Sequence, residues 1–478
     1  MKKKTLFLTY VALTTWLAIH HEPWRDEADS WLMVRDASIG QILAIGHDSG
    51  HPPLWYLLLK PMAAAGLPYA AQPALHLFII WAAAWLLVFR SPFSWKISAS
   101  VLCTYFFSFE YSVVARNYSL GILGLFLYSS ASRDNENRSW AWRCAATYIM
   151  SLASLFTLVS AAILVFVEYI RPHDQHLEKS KITRQPFFWA MVAAVLSGAV
   201  TLWPSGTGQF SGVLFNRLII EAPIDSLSTL LMPRQDYHVV YAAVCAAWLL
   251  ATGFVILRRD VYSALFFTTA VLSLFVVFSS VHYQIDAPRY AGMIYVFAVT
   301  ALWISLRREK EAMQPDENSP QSAWYLIALF CIAQMPDTLS TWWQETLLPF
   351  TDAPAVASAL MNSGGMEKVV ACSPPTNCES VLLRMPDNKE FLYPGIGFGT
   401  HGFWDKRHRT ATLMSADKAL QWTKEFAGSE VIRNQGMIFM SPSALPNPES
   451  LGVRELVFIQ SRAWAVRDEA FHIYSTLD

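Results

Sequence analysis

The stretch EPWRDEADSWLMVRDASIGQILAIGHDSGHPPLWYLLLK, residues 22–60, gathers Asp26, Glu27, Asp29, Asp36 and Asp48 ahead of His51. It directly follows an apolar segment, where carboxylates are costly. Two later stretches repeat the theme. EYSVVARNYSLG carries Glu110, Arg116 and Tyr118, and HYQIDAPRYAG carries His282, Asp286, Arg289 and Tyr290. A positioned carboxylate can take the proton from an attacking hydroxyl as a general base. An arginine at lipid depth needs an anion, and a lipid phosphate is the anion at hand. Plainer readings stand beside these. Asp26 and Glu27 would also suit a helix start, favouring its dipole, and either arginine could simply snorkel to the headgroups.

The elements that must hold these residues follow from composition. Of 478 residues, 54% are hydrophobic and 15% charged, against about 25% charged in soluble domains. Several apolar runs approach the ~20 residues that span a bilayer, so the chain reads as a polytopic membrane protein. A net charge of −1 with no basic face argues against a nucleic-acid partner. Lys2–Lys4 precede the apolar run Leu6–Ile19. No small-residue cleavage site follows, which favours a retained first span over a signal peptide.

Further spans are expected at 72–90, 97–113, 117–132, 144–156, 157–170, 186–203, 238–257, 261–281, 289–306 and 322–336, about eleven in all. Arg90 and Lys96, then Arg133, Arg138 and Arg143, then Arg171, Lys179, Lys181 and Arg184 fall in alternate loops, and Arg258, Arg259, Arg307, Arg308 and Lys310 continue the series. The basic-inside rule puts all of them in the cytoplasm, giving amino end in and carboxyl end out. Residues 144–170 have basic loops on both sides, so two short helices broken near Phe156-Thr157 are expected rather than one tilted span. The proline-rich stretch 51–68 reads as a helix lying in the outer interface. Residues 20–51 then fall outside, as do 108–117, 203–237, 282–289 and the tail. A helix from Pro23 to Asp36 would set Trp24, Ala28, Trp31 and Arg35 against Asp26, Asp29, Met33 and Asp36, an interfacial helix with its carboxylates turned from lipid.

After Pro336 the composition turns polar. Residues 337–478 read as a small exported α/β domain, with strands at EKVVAC and GMIFMS and helices near 352–362 and 415–427. Of the six cysteines, Cys103, Cys144, Cys245 and Cys331 lie in apolar segments. Cys372 and Cys378 could close a disulfide loop if the tail is exported. They do not make a zinc set, which needs four partners. GTHGFWDKRHR offers His401, Asp405 and His408, but without nucleophile or metal spacing it reads as a solvated loop.

RDEADSW, then HDSGHPPLWYLLLK, then ARNYSLG, taken in this order, resemble the GT-C membrane glycosyltransferases of the protein O-mannosyltransferase and aminoarabinose-transferase superfamily. The likeness is strongest over residues 1–135 and extends to TLWPSG (201–206) and PRYAG. It implies a GT-C-like transmembrane domain over 1–336, with a catalytic first outer loop (20–68), and an extracytoplasmic domain over 337–478. It also implies sugar transfer from a polyprenyl-phosphate donor to a lipid, glycan or protein acceptor at the outer face of the cytoplasmic membrane. Asp26 matches the general base, or the ligand of a divalent cation such as Mg or Mn where one is used. Glu27 matches its neighbour, which would orient the acceptor or the loop helices. Arg116 matches the arginine on the lipid phosphate, and His51 a position near the donor. Asp48, Lys60, Tyr118, Arg289 and Tyr290 complete the expected substrate-binding set. Asn117 departs from the pattern, which usually has an apolar residue or proline there. Competing readings are a transporter or flippase for lipid-linked saccharides, a glycan ligase, and a wall-binding scaffold. A transporter needs charge on the inner side as well, and the charges of the spans look clustered outward.

Overall fold

The computed structural model describes residues 1–131, 136–171, 178–203, 221–235, 238–280, 287–311, 319–402, 406–459, 464 and 471–476. The chain is mainly helical and ends in a small sheet. Helices α1 (Lys2–His20), α2 (Arg25–Asp36), α3 (Ile39–Ser49) and α4 (Leu54–Ala64) are followed by α5 (Ala71–Trp85), which passes into a π-helical turn, Leu86–Arg90. Next come α6 (Trp95–Leu102), a second π-helical turn at Phe106–Glu110, α7 (Tyr118–Ser130), α8 (Glu136–Ala153), α9 (Leu155–Ile170), α10 (Glu178–Thr201) and α11 (Glu221–Leu231). The series closes with α12 (Val239–Leu257), α13 (Val261–Ser280), α14 (Pro288–Glu311) and α15 (Ser319–Leu347).

Among the described residues, helix occupies the expected span positions except for the interrupted stretch 97–113. Three stretches, Ala71–Arg90, Val239–Leu257 and Pro288–Arg308, are long and apolar enough to cross a membrane. They differ in surroundings: 28% of the apolar stretch of α12 is buried and 94% of that of α14. A helix apolar all round and buried all round is a central one. Phe106, Phe107 and Phe126 lie in the main apolar cluster with Trp303 of α14, all at most 1% exposed. Leu250 and Phe254 of α12 and Ile332 of α15 point outward, as lipid-facing residues would.

Three sequence expectations need correction here. The span expected at 97–113 is broken, since Thr104 and Ser108 hydroxyls bond the carbonyls of Val101 and Thr104 and such back-bonds bend helices. The break expected at Phe156-Thr157 lies at Ser154, whose extended backbone and hydroxyl cap the amide of Thr157. The charges of the helices are not all at one end. Glu168 contacts Arg143 at 3.0 Å and Arg308 at 3.8 Å, and Asp260 contacts Arg171 at 2.7 Å and Arg308 at 3.7 Å. This second ionic cluster ties α8, α9, α13 and α14 together. From Arg289 to Arg308 along α14 is about 28 Å at ~1.5 Å per residue, close to the ~30 Å of bilayer hydrocarbon.

The tail does not begin at Pro336. That proline sits inside α15, and the fold changes only after Leu347. Helices α16 (Ala353–Asn362), α17 (Glu379–Leu382), α18 (Lys406–Thr412), α19 (Ala416–Ala427) and α20 (Ser429–Gln435) surround a six-stranded mixed sheet. Its strands are β1 (Val369–Cys372), β2 (Phe391–Tyr393), β3 (Gly397–Gly399), β4 (Met437–Ser441), β5 (Val453–Ile459) and β6 (Phe471–Thr476), in spatial order β3-β2-β1-β4-β6-β5. The β1 and β4 strands pair in parallel, Val369 opposite Met437, and both are wholly buried, as apolar strands covered on both faces are. Cys372 and Cys378 are joined by a disulfide.

The tail is docked rather than tethered. Leu32 of α2 is fully buried in the same apolar cluster as Val370, Val381, Phe391 and Ile473, so a residue of the first loop completes the core of the tail. Arg35 contacts Asp387 at 2.6 Å. Trp464 lies in the main cluster with the helices, its ring 5.6 Å from Phe109 and 5.5 Å from Phe350. The interfacial reading of α2 is thus overturned. Ala28, Trp31, Leu32 and Val34 are buried on all sides, because α4 covers one flank and α17 the other.

Candidate functional site

The α2 helix starts at Arg25, not Pro23, with Trp24 as its cap; the Trp24 amide donates to Glu27 Oε2 at 3.1 Å. Asp26 is therefore in the first turn. Arg116 lies in the turn that leads into α7, and Arg289 follows the opening proline of α14. Three helix starts converge, and their partial positive charges favour an anion. Asp26 Oδ2 is 2.6 Å from Arg116 and 3.3 Å from Arg289, while Oδ1 is 3.7 Å from Arg25. Burial alone would raise the Asp26 pKa, but the guanidinium groups of Arg116, Arg289 and Arg25 hold it far below the usual carboxylate range. Arg25 and Arg289 both lie over the Trp24 ring, at 4.8 and 5.0 Å.

The neighbouring residue has a different task. Glu27 is fully buried; its Oε1 accepts from the Ala115 amide at 2.6 Å, and its Oε2 lies 2.9 Å from His21 Nε2. Asp26 and Glu27 thus meet Arg116 and Ala115 as two adjacent rungs, residue to residue. Glu27 is saturated by protein donors and orients the loop helices. Both of its oxygens are engaged by protein donors, which fits the orienting role expected of it beside Asp26.

His51 Nδ1 lies 2.9 Å from the Ser49 carbonyl, so that nitrogen carries the proton. Its Nε2 then accepts from Arg116 at 3.0 Å. Burial and the adjacent guanidinium lower its pKa to about 4. His51 is a neutral prop for Arg116, with no free nitrogen for proton transfer.

Gly292, one turn after Arg289, is demanded by packing, since any Cβ there would collide with Phe106 and with the Tyr111 hydroxyl. That hydroxyl donates to the Arg289 carbonyl at 2.8 Å, which fixes the start of α14. Tyr290 stands 4.9 Å from the Arg289 guanidinium, and Tyr118 packs against Tyr111, Phe156 and Tyr290. Both tyrosines line the arginine pair. Lys60 does not: its Nζ donates to the Ala37 carbonyl at 2.7 Å, pinning α4 to the end of α2. Glu110 takes the Tyr105 hydroxyl at 2.8 Å. The side chains of Asp48 and His408, and residues His282, Asp286 and Asp405, lie outside the described residues.

A divalent cation does not fit at Asp26. Arg116 and Arg289 already pair with its Oδ2 and Arg25 with its Oδ1, and among the described residues no cluster of histidine, cysteine or acidic side chains could hold a metal ion.

Several site residues escaped sequence reasoning. Arg25 was visible in RDE but not singled out. His21 sits between Glu27 and Glu345, which lies 324 residues further on, at 2.9 and 2.7 Å. Glu345 Oε2 in turn accepts from the Trp464 indole at 3.1 Å. One turn below Asp26, Asp29 faces Glu379 of α17. A Cβ on Gly402 would lie 2.6 Å from Asp29 Oδ1 and 3.0 Å from Glu379 Oε1, so a larger residue there would have to displace these carboxylates. Burial first, then the Asp29 charge, raise the Glu379 pKa well above the ordinary range. The 399–402 loop is thus docked on α2 rather than solvated. Sequence offered only weak signals for these: a histidine ending a span, and a lone glutamate in WWQETL.

Trp24 Nε1 and Arg289 Nε are buried donors without a hydrogen-bond partner. Orphan donors are rare in finished interiors. No protein-family profile matches this chain, and no curated protein matches it significantly.

Proposed function

We propose that this chain is a membrane glycosyltransferase that moves a sugar from a polyprenyl-phosphate donor to an acceptor at the outer face of the cytoplasmic membrane. In this reading about eleven spans form a GT-C-like bundle, amino end in, with the tail extracytoplasmic. The observation that carries it is charge imbalance at one carboxylate. Asp26 meets three guanidinium groups, with two orphan donors beside them. Within ion-pair distance such a site is short of negative charge, and a phosphate supplies it with oxygens matched to arginine's fork.

The chemistry follows from competition. A carboxylate held this acidic is a poor base. When the donor phosphate binds Arg116 and Arg289, it draws them from Asp26 and lets the Asp26 pKa rise. The acceptor hydroxyl then gives its proton to Asp26 as its oxygen attacks the anomeric carbon. The bond from that carbon to the phosphate oxygen breaks, and both arginines hold the departing lipid phosphate. One displacement inverts the anomeric centre. His51 keeps Arg116 aimed throughout.

The transporter reading gains one point from the second ionic cluster, which supplies inner charge. Against it, the middle of α14 (Met293, Ile294, Tyr295, Val296 and Phe297) is packed at 1% exposure or less between the two clusters. The deciding experiment incubates purified protein with a panel of undecaprenyl-phosphate sugars and scores released undecaprenyl phosphate. Release by the wild type, lowered about a hundredfold or more in Asp26→Asn, supports transfer. Headgroup translocation in liposomes without release would establish the transporter instead.

A further inference from the structure

We propose that His21, clamped between Glu27 and Glu345, is a positioning residue that sets Arg116 against Asp26 and links that setting to the tail through Trp464. The inference rests on the transferase reading and names a residue beyond it. Each link is a contact. Trp464 donates its indole N–H to Glu345 Oε2 at 3.1 Å, Glu345 Oε1 meets His21 Nδ1 at 2.7 Å, and His21 Nε2 meets Glu27 Oε2 at 2.9 Å. Glu27 Oε1 then holds the Ala115 amide at 2.6 Å, and the next residue is Arg116.

Both ring nitrogens face carboxylates, so both must carry protons. Burial by itself would lower the His21 pKa, but the Glu27 and Glu345 charges and hydrogen bonds outweigh it and raise it to about 10. Glu110 and His76 also act on this ring electrostatically, and the Phe109 and Phe350 rings enclose it. The cation has a definite task. Without it two buried carboxylates would face each other across the ring's place, and Glu27 would swing from the Ala115 amide. Arg116 would then lose its fixed backbone. Trp464 is itself secured from the helical side: Arg234 donates to its carbonyl at 2.8 Å and stacks on its ring at 4.2 Å. A tail residue is thereby wired to the phosphate-binding arginine through three side chains and the Ala115 amide.

The test compares His21→Gln with His21→Lys in full-length protein. Glutamine keeps size and one hydrogen bond but loses charge, whereas lysine keeps the charge. We expect His21→Gln to lower kcat/KM for the lipid donor about 10- to 100-fold, the scale of an orphaned buried partner. The loss should lie in donor KM, with kcat within about threefold of wild type. His21→Lys should recover most of it, and both variants should melt as sharp single transitions. Binding of sugar-free undecaprenyl phosphate should weaken in parallel. Equal activity of both variants, whether intact or lost, would overturn the positioning role. If the wild type transfers no sugar, the transferase reading fails, and the undecaprenyl phosphate binding arm still decides whether His21 sets the arginine.

Discussion

The two ionic clusters at opposite ends of α14 use the same residue types to different ends. At the Arg308 end, Glu168 and Asp260 share Arg143, Arg171 and Arg308, and the Tyr128 hydroxyl also reaches Glu168, at 3.1 Å. Charges there are divided among two acids on different helices, and the cluster works as a clamp. At the Arg289 end, one carboxylate faces three arginines, backed by a neutral histidine and two unfilled donors. The Arg308 end sets two acids against three arginines and the Arg289 end only one, so the second is the more unbalanced of the two, as a binding device is until its ligand arrives. Buried ion pairs are weak evidence for stability in any case, so the imbalance is the informative part.

The sharpest way to break this contrast is to neutralise one acid in each cluster. Asp26→Asn should lower transfer by about 10²- to 10⁴-fold, the usual worth of a general base, measured as undecaprenyl phosphate release. Glu168→Gln should leave turnover within a few-fold while lowering the melting temperature, since stripping one partner from a buried ion pair costs ~3–5 kcal/mol. Equal loss of transfer in the two variants would erase the distinction.

Arginine geometry sharpens the comparison next. Arg116→Lys should raise the donor KM about 10-fold or more, because a lysine cannot make the two-pronged contact with phosphate. Arg308→Lys, read by the same assay, should change KM little.

The smallest effect concerns the seam between α2 and the tail. Glu379 has a raised pKa, so its folded form favours the neutral acid. Stability from that group is present below its unfolded pKa near 4.5 and is lost as pH rises. Glu379→Gln should therefore raise the melting temperature by a few degrees at pH 8 and hardly at all at pH 4. His51 runs the other way. Its pKa is depressed to about 4, so its neutral form favours folding above the ordinary histidine range, and that stability is lost as pH falls from about 6.5 toward 4.

Much of the helix pattern was legible because apolar run length and alternating basic loops are properties of the chain itself. The β1 and β4 strands and the Cys372–Cys378 bridge were legible for the same local reason. Asp26, His51, Arg116 and Arg289 could be singled out by type and order, yet their meeting depends on packing. Glu27 could be placed beside Asp26 from sequence, but its grip on the Ala115 amide and on His21 could not, because both partners reach it only through packing. Lys60 misled: a cation near a membrane face need not meet an anion, and this one found a carbonyl. The Glu168–Asp260 cluster was missed since each acid is isolated in sequence and only the fold brings three arginines to the pair. The same holds for Glu345 and Trp464, separated from His21 by most of the chain.

Leu32 has a practical consequence. Its side chain belongs by sequence to the first loop and by contact to the interior of the tail. A tail expressed on its own would carry a leucine-sized hole in its centre, a defect of ~2–5 kcal/mol by analogy with large-to-small substitutions. The loop left behind would present that leucine to water. Dissection into soluble and membrane halves thus injures both pieces, and reconstitution of the pair from fragments would have to begin by refilling that hole.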